Sequence, residues 1–76
     1  MTKDIIIISS KDSGELALEL GLVYAMMQTS AHIVGLPTAV KDSPNLAFFR
    51  ELNGQIHNAD LSALLTLKPN AQIIRL

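Results

Sequence analysis

The chain has 76 residues, 49% of them apolar and 17% charged, with a formal net charge of -1 and no cysteine. That length fits one small domain, residues 1–76, and the high apolar content with low charge excludes intrinsic disorder. The missing cysteines exclude disulfides and thiolate zinc sites. A domain this short buries only about 60–65% of the surface its unfolded chain exposes, so oligomerisation is left as its means of support.

Composition also narrows the partners. Six Lys and Arg face seven Asp and Glu, and the cations (Lys3, Lys11, Lys41, Arg50, Lys68, Arg75) are scattered singly, which gives no electrostatic footprint for nucleic acid. One Tyr, two Phe and no Trp make no platform for stacking bases. The apolar stretch 16–27 is interrupted by Glu19 and is too short to span a bilayer. Without cysteine and without a secretory pattern, the expected location is cytoplasmic.

Along the chain, Ile5, Ile6, Ile7 and Ile8 form an unbroken β-branched run within 4–9. Such a run reads as a strand covered on both faces, as in a parallel sheet. After a loop at 10–12, Asp12 as N-cap and Glu15 three residues on predict a capping box and a helix over 13–28. A second strand follows at 32–36, stopped by Pro37. Ser43 and Pro44 read as cap and first residue of a helix over 44–52, with Phe48, Phe49 and Leu52 on one face. Asn53 and Gly54 close it, with Gly54 in the left-handed conformation. A short strand is expected at 55–58. The tail admits a helix over 61–67 and a strand over 71–76, or a hairpin with arms at 63–67 and 72–76; leucine spacing favours the helix. The order is that of a small α/β domain with a largely parallel β-sheet of three or four strands and two or three helices.

The first helix carries information beyond the fold. At about 100° per residue, Leu16, Leu20, Val23 and Met27 share the flank expected against the sheet. Ala17, Gly21 and Ala25 form a ridge of small residues, while Glu15 and Glu19 start a polar stripe that Leu22 and Met26 then replace. One sheet covers about half a helix, and a small-residue ridge permits close helix approach. The pattern therefore predicts a self-association interface of Ala17, Leu18, Gly21, Leu22, Ala25 and Met26, set against coverage of that face by the second helix and the tail.

Other chemistry is sparse. The loop holding Ser10, Lys11, Ser13 and Gly14 stands at a strand's carboxyl end before a helix, where open α/β sheets bind anions. It matches no phosphate-loop or dinucleotide motif, and Asp12 and Glu15 oppose an anion. His32 stands near Ser30, and His57 near Asn58 and Asp60, but no strained turn presents a serine nucleophile. The two histidines lie 25 positions apart (57 − 32), so no local spacing supports a metal site. Neither a metal nor a cofactor is expected.

The opening I-I-I-I-S-S, the apolar helix and the A-H-I-V strand resemble the outline of sulfur-relay proteins. Those work through a cysteine, which this chain lacks. The tail L-T-L-K-P-N-A-Q-I-I-R-L resembles the helix–loop–strand near the end of many nucleotide-binding α/β folds, including methyltransferases, without their glycine-rich loop. The expected function is a non-enzymatic protein-interaction module, an adaptor, regulator or inhibitor, that pairs with itself and with another protein. The alternative is a binder of a small anion or nucleotide at residues 10–15.

Overall fold

A computed structural model describes residues 3–27, 29–57 and 61–76. Among these, β1 (Asp4–Ile8), β2 (Ser30–Val34), β3 (Gln55–His57) and β4 (Gln72–Arg75) form one sheet in the order β3-β2-β1-β4. All pairings are parallel: Ile6 lies opposite His32 and Ile73, and Ile33 opposite Ile56. The connecting helices are α1 (Gly14–Met26), α2 (Pro44–Glu51) and α3 (Leu61–Leu67), with a short 3-10 turn at Thr38–Val40. The α/β fold with a parallel sheet is as the sequence predicts, and the tail is a helix and a strand rather than a hairpin. The expected helix end at Gln28 and strand end at Asn58 lie outside the described residues.

Alternation along β1 builds two cores. Ile5 and Ile7 point to one face, where they pack with Ala17, Leu18, Ala31, Ile33, Leu46 and Phe49. Ile6 points to the other face and packs with Val34 and Leu64, flanked by Leu61 and Leu65. Helices α1 and α2 therefore cover one face, and the seven residues of α3 are the helical cover of the other. Coverage on both sides explains why the isoleucine run shows no polar alternation.

The face of α1 set against the sheet differs from the expectation. Ala17, Leu18 and Gly21 are buried there, while Leu16, Val23 and Met27 are exposed; of the flank expected on the sheet only Leu20 packs against the core. The cause is steric. A Cβ on Gly21 would stand 2.7 Å from the Phe49 ring and 3.2 Å from Cδ1 of Ile33. The small-residue ridge thus lets α1 settle onto the sheet and admits the ring of α2. Ala17, Leu18 and Gly21 are covered by their own chain; Leu22 and Ala25 are half-buried, and Met26 is exposed.

The helix ends follow local chemistry, with three departures from expectation. Ser43 caps α2 by accepting from the Asn45 amide, with Pro44 at the first helical position, as predicted. Leu46 and Phe49 form its buried face, whereas Phe48 and Leu52 point outward. At its end Asn53, not Gly54, takes the left-handed conformation, with φ 66°. Gly54 is needed for a different reason: a Cβ there would lie 2.4 Å from Cε1 and Cζ of Phe49. At α1 the N-cap residue is Ser13, not Asp12, and its side chain makes no capping bond. Glu15 accepts instead from the Asn45 side chain at 3.3 Å, tying α1 to α2.

Candidate functional site

Three places on this frame hold residues with something to do. The first is the β1–α1 loop. The Ser9 amide donates to the Val34 carbonyl at 2.9 Å, so the loop leaves the sheet at the carboxyl ends of β1 and β2. The Ser10 amide donates to Oγ of Ser13 at 2.8 Å, and the two hydroxyls lie 2.7 Å apart. Ser10 and Lys11 are exposed. Gly14 is buried, and a Cβ there would meet Cγ of Pro37 at 2.8 Å, so this glycine fixes the helix start against the segment after β2. The four sequence-predicted residues are therefore neighbours, with Gly14 serving packing. The chain runs from β1 outward to β2 and β3, then returns to place β4 on the other side of β1. The carboxyl end of β1 thus stands at a topological switch point, where open α/β sheets form their crevice.

The second place was not legible in the sequence. On the α3 side of the sheet, Asp4 of β1, His32 of β2 and His57 of β3 form a side-chain chain across three strands. Nδ1 of His32 lies 3.0 Å from Nε2 of His57, and Nε2 of His32 lies 3.3 Å from Oδ1 of Asp4. Oγ of Ser30 is 3.4 Å from the same Nε2, and Nζ of Lys68 is 3.8 Å from Oδ1 of Asp4. His32 is 1% exposed, so its two ring nitrogens must find partners inside the protein. The parallel register supplies them by setting His32 opposite Gln55 and His57 opposite Val34, on one face. With Asp4 ionised, His32 donates from Nε2 and accepts at Nδ1 from His57. The chain can then hold a proton and pass it between a half-buried ring and a carboxylate. Asp60, the carboxylate considered beside His57, and Asn58 lie outside the described residues.

Burial, and then the neighbouring His32, hold His57 below its ordinary histidine pKa. The folded state therefore binds fewer protons at His57 than the unfolded state does. The contribution of this group to stability is unchanged above about pH 6.5. It falls as the unfolded chain protonates, and levels off below the folded pKa. Urea unfolding at a series of pH values should show this fall on acidification, and His57→Gln should flatten it. A native profile that stays level between pH 7 and 5 would contradict the arrangement.

Compared with known proteins, the chain matches no protein-family model, no curated protein and no solved structure. Its own geometry is therefore the basis for a functional reading.

The third place is apolar. Leu22 and Met26 of α1 meet Phe48, Glu51 and Leu52 of α2 around a shallow cleft of about 290 Å³. Two of the residues predicted for an interface, Leu22 and Met26, line this cleft. Among the described residues no helix is long and apolar enough to cross a membrane.

Proposed function

We propose that the chain is a protein-interaction module that pairs with a second copy of itself through the outer face of α1 and α2. The observation that carries this reading is where its large apolar side chains stand. Met26 is 65% exposed and Phe48 55%, on either side of the cleft. Leu52, just after α2, is 40% exposed and also lines the cleft, and Leu16, Val23 and Met27 are further exposed apolar residues of α1 and its end. Single exposed apolar residues are ordinary, but a contiguous patch on a small domain marks a contact surface. A standard interface takes about 800 Å² from each partner, roughly a sixth of the 4883 Å² surface of this chain. One helical layer is of a size to supply it. Two copies meeting by the same layer close as a two-fold dimer, which would shelter the side chains that one copy leaves in water.

Light scattering across a concentration series tests this reading. The native chain should weigh more than its 8.2 kDa, and its melting temperature should rise with protein concentration. Met26→Glu with Phe48→Glu should return it to monomer with its circular dichroism unchanged. A native chain that stays monomeric at millimolar concentration refutes it.

A second reading is favoured by the topology. An anion or nucleotide could sit at Ser10, Lys11 and Ser13, at the switch point beside β1. The same melting experiment separates the two readings. A ligand binder gains stability in phosphate and is indifferent to protein concentration, and Lys11→Ala removes the gain.

A further inference from the structure

The geometry points to a divalent transition-metal site, for zinc or a similar ion, between Nδ1 of His32 and Nε2 of His57. The two nitrogens face each other at 3.0 Å from adjacent strands. Zinc–imidazole bonds of about 2.0–2.1 Å at a tetrahedral angle place two ligating nitrogens about 3.3 Å apart. The separation is within a few tenths of an ångström of a chelating bite, and because the ion would sit to one side of the line joining the two nitrogens, binding requires the half-buried His57 ring to turn toward it.

The surroundings have the form that metal-bound histidine requires. The other nitrogen of His32 donates to Asp4 at 3.3 Å. That bond sets the tautomer and turns the Nδ1 lone pair toward His57, as carboxylates behind metal-bound histidines do. His57 brings its lone pair to Nε2 by carrying its proton on Nδ1 instead. Both rings then remain neutral ligands, and the metal replaces the proton that otherwise joins them. Among the described residues no group of three His, Cys, Asp or Glu converges, so the chain supplies two ligands and water or a partner the others. Bound there, the ion would clip β3, a strand of three residues, to β2. It would give a cysteine-free domain the staple its size calls for.

Titration of zinc chloride into the full chain, followed by calorimetry and by nitrogen NMR of the imidazoles, tests this. Saturation is expected at one zinc per chain, with the resonances of His32 Nδ1 and His57 Nε2 moving and His32 Nε2 staying protonated. His57→Ala and the larger His57→Gln should each weaken binding by about ten-fold or more. Asp4→Asn should weaken it by about 10–100-fold. The absence of saturable binding overturns the proposal, as does undiminished binding by a folded His57 variant or coordination through Nδ1 of His57. The readout is independent of self-association, so the two readings stand or fall separately.

Discussion

Phe49→Ala is expected to remove about 3–5 kcal/mol of stability, the cost of deleting a large side chain from a packed core. The ring is fully buried. It is the piece of α2 that reaches between α1 and the sheet, in one cluster with Leu18, Ile33 and Leu46. Two glycines, Gly21 and Gly54, leave the space it occupies. Once the ring is gone, neither has a side chain to collapse into the void, which places the cost toward the upper end of the range. A domain of this length holds about 0.05–0.15 kcal/mol per residue, so the loss would take a large share of its stability. Urea unfolding should show a much lower midpoint with an unchanged slope. A change below about 1 kcal/mol would mean that Phe49 is not packed between these elements.

The second large effect is expected at Gly21. Leucine at this position would press into Phe49 and Ile33, and overpacking a filled core costs about 1–3 kcal/mol or more. The two possible roles of the small-residue ridge differ in what Gly21→Leu would do. At an exposed interface it would leave the fold intact and split an oligomer. In the core it lowers the unfolding midpoint, and whatever remains folded keeps its native mass. The smaller change Gly21→Ala isolates the cause. Paired with Phe49→Leu, which removes part of the ring the new Cβ would strike, it should cost less than the sum of the two single changes. That coupling is what a double-mutant cycle reads for residues in contact. Strict additivity would show that the two positions do not touch.

These expectations mark where the sequence was legible and where it was not. The unbroken Ile5–Ile8 run announced a strand covered on both faces, and Ser43 with Pro44 announced α2, because each signal is local. The orientation of α1 was hidden because apolar residues surround it almost evenly, so periodicity had no direction to report. What decided the face was size: a side chain at Gly21 would strike Phe49 and Ile33, and Ala17 beside it is also small and fully buried. The cap at α1 was misread because Ser13 turns its hydroxyl back to Ser10, one serine competing with another for the same local bonds. At the end of α2 the left-handed conformation expected of Gly54 falls on Asn53, and the need for Gly54 lies in a ring five positions earlier. His32 and His57 could not be joined from sequence. Their meeting depends on the register of two parallel strands linked through α2, a long-range fact that no spacing rule contains.

The order β3-β2-β1-β4 has a last consequence. Strands β1 and β2 lie inside the sheet with Ile5, Ile6, Ile7 and Ile33 almost wholly dry, whereas the flanking strands have three and four residues and mostly wet side chains. Cooperative stability is accordingly concentrated in a two-strand spine, and the margins can fray at much lower free energy. The rungs of Asp4, His32 and His57 run from this spine out to one of those margins, so whatever strengthens or breaks them governs how far the fraying spreads.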